Sequence, residues 1–122
     1  TSSAASDVYK RQSLYFKKFE STMALFFGEW EFPSQENTIE TCKVFAEYID
    51  NGAKGDDFEG FKILYRLHDL HNGTGVFIAE ADDTTKVFDH GAPFIKIGKC
   101  KVKVRQMMTD SECVEAYKRN WR

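Results

Sequence analysis

The sequence predicts an α+β domain built on one four-stranded antiparallel sheet, and three observations predict it. Segments with the two-residue alternation of half-buried strands recur along the chain. Between them lie segments whose apolar residues repeat at three and four. One Asn-Gly pair, Asn72-Gly73, joins two strand-like runs as a hairpin signal.

The first strand is expected at residues 23–32. Ala24, Phe26, Gly28, Trp30 and Phe32 fall on one face; Leu25, Phe27, Glu29 and Glu31 fall on the other. Pro33 and Ser34 stop it. Ser34 can accept from the first free amides of a helix at 35–51, and Glu36 suits that helix's positive end. Ile39, Cys42, Ala46 and Ile49, with Phe45 alongside, form the expected buried stripe, and Gly52 ends the helix.

The second strand spans 58–71 and the third 75–82. A two-residue turn between them sets His71 opposite Thr74, His68 opposite Phe77, Arg66 opposite Ala79 and Tyr65 opposite Glu80. One face then carries Phe61, Ile63, Tyr65, Leu67, Ile78 and Glu80. The other carries Leu64, Arg66, His68, Phe77 and Ala79. Asp82 or Asp83 caps a short helix at 84–90, which Gly91 and Pro93 end. Residues 99–108 alternate as a fourth strand, and Thr109 to Glu112 (TDSE) is a capping box for a last helix lined by Val114, Tyr117 and Trp121.

The order is βαββαβ followed by α, which reads as the split βαβ, ferredoxin-like arrangement. Two main helices cover one face of such a sheet. Both faces here are partly apolar, so the uncovered one calls for a second copy stacked sheet on sheet with two-fold symmetry. A homodimer closing into an α/β barrel is the expected assembly.

The opening stretch, SSAASDVYKRQ at residues 2–12, has no apolar period and no cap. It lacks the basic start and apolar run of a signal peptide. At every position it matches the in-frame translation of the adapter used in transposase-based sequencing libraries. Residues 1–22 therefore read as adapter plus upstream sequence outside the fold, and 23–122 as a single ferredoxin-like domain starting at Met23.

From Met23 onward 13 Lys and Arg stand against 17 Asp and Glu, a net charge of −4. An acidic domain is a poor general binder of nucleic acid or of an anionic membrane, so neither is expected as a partner. No run reaches the roughly 18 apolar residues of a membrane span. Cys42, Cys100 and Cys113 are odd in number and lack C-x-x-C spacing, which suits a reducing cytoplasm rather than a disulfide framework.

The strand LFFGEWEF, the hairpin YRLHDLHNGTGVFIAEADD and the strand-to-helix exit VKVRQMMTDSECVEAY together resemble the dimeric α/β-barrel superfamily. That group includes antibiotic-biosynthesis monooxygenases, muconolactone isomerases and stress-responsive barrel proteins. Within it the chain is most similar to a small bacterial and phage domain family of unknown function. The resemblance covers residues 23–117. It implies a pocket between sheet and helices for a small apolar or aromatic molecule, with oxygenase- or isomerase-like chemistry as one use and simple binding as another. It implies no cofactor. The alternative is a non-catalytic protein-interaction or regulatory module.

Five residues are the candidates for such a site. His68 shares a face with Arg66, whose charge should leave its imidazole neutral and able to act as a base. Glu80, as Tyr65's cross-strand neighbour among apolar side chains, is the second acid–base candidate. Trp30, Tyr65 and Arg66 are the ligand-binding candidates. Ordinary packing or surface roles are the competing reading for each. Lys101, Lys103 and Arg105 read as the guarded edge of the sheet. Asp69, His71 and His90 carry metal-binding atoms, but their spacing requires no metal and none is assigned. NGTGVFIA lacks the stacking aromatics of an RNA-binding strand, and GTG opens a strand rather than a phosphate-binding helix.

Overall fold

The computed structural model describes residues 23–122, so the adapter-like stretch and the segment after it lie outside the described residues. The elements run β1 (Ala24–Glu31), α1 (Gln35–Asp50), a 3-10 turn (Lys54–Asp56), β2 (Asp57–Phe58), β3 (Phe61–Asp69), β4 (Thr74–Ala81), α2 (Thr84–Gly98), β5 (Lys101–Met107) and α3 (Asp110–Asn120). All neighbouring strands are antiparallel, in the order β2-β3-β4-β1-β5. The four long strands give the ferredoxin-like arrangement. The fifth, β2, is a two-residue addition that pairs with the start of β3 across a tight turn at Gly60, whose φ is +84°.

The expected caps form. Ser34 accepts from the Asn37 amide at 3.1 Å, Asp83 from the Lys86 amide, and Thr109 and Glu112 complete both halves of the capping box. No helix among the described residues is long and apolar enough to cross a membrane.

The core lies between the sheet and α2. Phe26, Phe61, Phe77, Ala79, Ala81 and Val87 are buried there. Full burial of rings such as Phe26 and Phe61 is worth about 1.5–3 kcal/mol each. α2 lies on β3, β4 and β5 and packs beside α1.

Four expectations need correction. The hairpin loop has four residues, 70–73, so Asp69 pairs with Thr74, His68 with Gly75, Arg66 with Phe77 and Tyr65 with Ile78. The cause is Asp69. Its carboxylate accepts from the Asn72 backbone amide and, at 2.9 Å, from the Asn72 side chain, so Asn72 serves the loop rather than a two-residue turn.

The second correction is a bulge in β3 between Ile63 and Tyr65. It re-phases the strand, so Phe61 and Ile63 join Arg66 and His68 on the helix-covered face. Tyr65 is not Glu80's cross-strand partner, because the four-residue loop sets it opposite Ile78; beyond the bulge Glu80 stands opposite Lys62.

Third, α1 buries Thr38 and Thr41, with Phe45 and Tyr48 partly covered, while Ile39 and Ile49 are exposed. The two threonines tolerate burial because their hydroxyls donate to the carbonyls of Ser34 and Asn37.

Fourth, α2 runs through Gly91 and Pro93 to Gly98. A proline inside a helix costs about 3 kcal/mol. The last turn is held regardless: Phe94 and Ile95 face inward, and Gly98 lies so close to Phe32 that a Cβ there would stand 2.5 Å from its ring. Lys99, at φ +52°, ends the helix by donating to the Ile95 carbonyl.

Candidate functional site

A cavity of about 670 Å³ opens between the helix-covered face of the sheet and helices α1 and α2. This is within the range of small-molecule sites. Its floor is aromatic because two glycines make room. A Cβ at Gly75 would lie 1.9 Å from the Trp30 ring, and one at Gly28 would lie 2.1 Å from Phe77. The two rings stack with centroids 6.4 Å apart. α1 contributes Phe45 and α2 contributes Phe94, their centroids 5.9 Å apart. His68 stands between floor and wall, 5.4 Å from Trp30 and 5.0 Å from Phe45.

A polar cluster sits at one end. The 3-10 turn presents Asp56, which accepts hydrogen bonds from Arg66 and, at 2.7 Å, from the Tyr48 hydroxyl. The Arg66 guanidinium also lies over the Phe45 ring at 5.0 Å. His90 is stacked on Phe61 at 4.6 Å, and its Nδ1 is 2.9 Å from the Gly55 carbonyl. A carbonyl only accepts, so Nδ1 carries the proton. The other ring nitrogen, Nε2, is 4.0 Å from Asp56.

These contacts set the ionisation states. Burial pushes the Asp56 carboxyl up, but the hydrogen bonds from Arg66 and Tyr48 outweigh it and hold the group below the usual carboxylate range. Burial, then the hydrogen bond to Asp56 and its charge, raises the Tyr48 phenol well above its ordinary value. Burial lowers His90, and Arg66 lowers it further; the Gly55 carbonyl and Asp56 only partly oppose this. Burial and the Arg66 charge lower His68. Burial raises the Cys100 thiol, which also borders the cavity. At neutral pH the cluster holds one matched ion pair and two neutral imidazoles.

The structure brings Trp30, Arg66 and His68 together in the cavity wall. It puts Tyr65 and Glu80 on the opposite side of the sheet, where Tyr65 is 61% exposed and Glu80 is buried. Asp69 and Asn72 close the hairpin far from His90, and no group of three or more metal-ligating residues forms among the described residues. Lys101, Lys103 and Arg105 lie on the edge strand β5, with Arg105 paired to Glu29 at 3.2 Å.

Sequence reasoning missed Asp56 and Tyr48, and weighed His90 only as a metal-binding residue beside Asp69 and His71. Asp56 lies in a segment that reads only as a polar loop. Tyr48 did carry a signal: with Thr38, Thr41 and Phe45 it repeats at three and four. The more hydrophobic stripe one residue round the helix masked it.

Solved structures with similar backbones share little sequence. They include a dimeric ferredoxin-like protein from an uncultured marine organism, at 12% identity over 72% of this chain and 95% of that one, TM-score 0.44. An antibiotic biosynthesis monooxygenase gives 13%, 70%, 99% and 0.47. MupZ from Pseudomonas fluorescens gives 11%, 80%, 77% and 0.38. No curated protein matches the chain. The sequence profile of one family matches residues 24–120, nearly the whole described domain, and the chain belongs to that family, the domain of unknown function DUF3303.

Proposed function

We propose that this chain binds a small apolar or aromatic molecule in the cavity between sheet and helices, as a homodimer. The observation that carries the reading is the aromatic enclosure of Trp30, Phe77, Phe45 and Phe94 around about 670 Å³, with His68 set between its walls. Flat apolar molecules are held by such offset and edge-on ring contacts. Proton transfer through the neutral His68 imidazole is the chemistry open to a bound molecule, and it is the step an oxygenase- or isomerase-like reaction would use.

The dimer reading rests on the other face of the sheet. Tyr65, Leu67, Ile78 and Met107 are all exposed there, a patch that favours a second copy over water. Tyr65 belongs to that surface in this reading. The free thiols Cys42, Cys100 and Cys113 favour the cytoplasm. The acidic balance speaks against nucleic acid or a membrane surface as partner.

Thermal unfolding with increasing naphthalene tests the pocket. A ligand present at 100 times its dissociation constant adds about 2.7 kcal/mol, a rise of roughly 10–20 °C for a domain of this size. His68→Ala and Trp30→Ala should each shrink that rise, and Glu80→Gln, beyond the sheet, should leave it unchanged. No rise in the unaltered protein overturns the reading.

A further inference from the structure

We infer that the cavity selects an uncharged ring-bearing molecule with a hydroxyl group, which donates a hydrogen bond to a ring nitrogen of His68. The inference rests on the pocket reading above and deepens it to a ligand class.

Most charged and hydrogen-bonding groups of the wall are already engaged; among the described residues the Thr84 and Thr85 hydroxyls at the start of α2 are exceptions besides His68. Arg66 is the cation of the site, and Asp56 matches its charge while Phe45 covers the guanidinium face. The Tyr48 hydroxyl is donated to Asp56. His90 is 8% exposed, stacked on Phe61 and bonded to the Gly55 carbonyl. Thr41 donates to the Asn37 carbonyl. His68 differs: among the described residues it makes ring contacts to Trp30 and Phe45 and no hydrogen bond. It is also exposed, so a molecule can reach it.

A carboxylate entering this cavity would meet no unmatched positive charge. It would lose its hydration among Trp30, Phe77, Phe45 and Phe94, a heavy penalty for an ion without a partner. An ammonium ion finds no free carboxylate, because the Asp56 charge is already matched by Arg66, and has only the ring faces to offset its lost hydration. A neutral ring pays neither penalty. A hydroxyl on that ring finds the one unengaged imidazole, which as a neutral base can accept a hydrogen bond. A net gain of about 0.5–1.5 kcal/mol for that bond corresponds to roughly 2- to 12-fold in affinity.

Three probes of one shape separate the possibilities: naphthalene, 2-naphthol and 2-naphthoate. The chain has two tryptophans, and Trp121 is exposed, so Trp121→Phe leaves the Trp30 indole N–H as a single reporter in the cavity. Its NMR shift is followed through each titration at pH 7.5. The expected order is 2-naphthol tightest, naphthalene several-fold weaker, and 2-naphthoate at least about tenfold weaker than 2-naphthol. His68→Phe keeps a ring between Trp30 and Phe45, and should bring 2-naphthol to the affinity of naphthalene. Asp56→Asn, by unmatching Arg66, should move the preference toward 2-naphthoate. Equal binding of all three probes, tighter binding of 2-naphthoate, or a hydroxyl preference that survives in His68→Phe overturns the ligand class while the pocket stands. No shift with any probe overturns both.

Discussion

Trp30 on β1 and Gly75 on β4 face each other directly, and the indole occupies the space where a side chain at position 75 would sit. The clash is with a large ring packed against Phe77 and His68, so it cannot be relieved by a flexible tip. Gly75→Ala should therefore displace Trp30 from the cavity floor. Overpacking of this kind costs about 1–3 kcal/mol, to be read from the urea midpoint. The Trp30 fluorescence maximum should shift with it. A variant as stable as the parent, with unchanged fluorescence, would mean the floor is not built on this glycine.

Asp56 ties the 3-10 turn to both β3 and α1 through Arg66 and Tyr48. Asp56→Asn leaves a largely buried guanidinium without its counter-charge and should cost about 1–3 kcal/mol at pH 7. The pH dependence follows from the lowered carboxyl. Its folded value is below the ordinary 3.8, so its stabilisation is complete above that pH and is lost as pH falls below it. Urea titrations at pH 7 and pH 3 should show the gap between parent and variant narrowing in acid. A gap that stays constant would sink the ion-pair account.

His90 works in a different pH window. Its folded value is below 6.5, so the unfolded chain takes up a proton first. Stability is then complete above about pH 6.5 and falls as pH drops through that value, by at most about 1.4 kcal/mol per pH unit for one group. His68 contributes with the same sign. His90→Gln retains a donor for the Gly55 carbonyl and removes one titrating group. Its unfolding free energy should fall less steeply between pH 7 and 5 than the parent's; an identical slope would place the proton uptake elsewhere.

Much of the fold was legible because local rules governed it. Ser34, Thr109 and Glu112 cap the helices as their side-chain chemistry requires, and the alternation of β1 placed Phe26 and Trp30 on one face. The errors arose where long-range packing decided. The four-residue loop shifts Tyr65 from Glu80 to Ile78, and the β3 bulge moves Phe61 and Ile63 to the covered face without a mark in the sequence. Tyr65 and Glu80 therefore read as a site pair, when Trp30, Arg66 and His68 are the candidates that reach the cavity. The length of α2 depended on what Phe94, Ile95 and Gly98 meet in space, against the local signal of Gly91 and Pro93. The Asp56 cluster joins a loop, a helix and a strand, and no short-range pattern could announce it.

The open face offers the last test. Leu67 is 55% exposed beside Tyr65 and Ile78, on the side of the sheet away from both main helices. A stable dimer buries about 1,200–2,000 Å² in total, and a four-stranded face is broad enough to supply it. If two copies stack there, a carboxylate at position 67 is trapped without a partner and weakens association by roughly 2–4 kcal/mol. Light scattering over a concentration series should give twice the chain mass for the parent and the single-chain mass for Leu67→Glu. Circular dichroism should show the variant still folded, because position 67 lies outside the core. A parent that is monomeric at every concentration would remove the second copy and leave the face to a different protein.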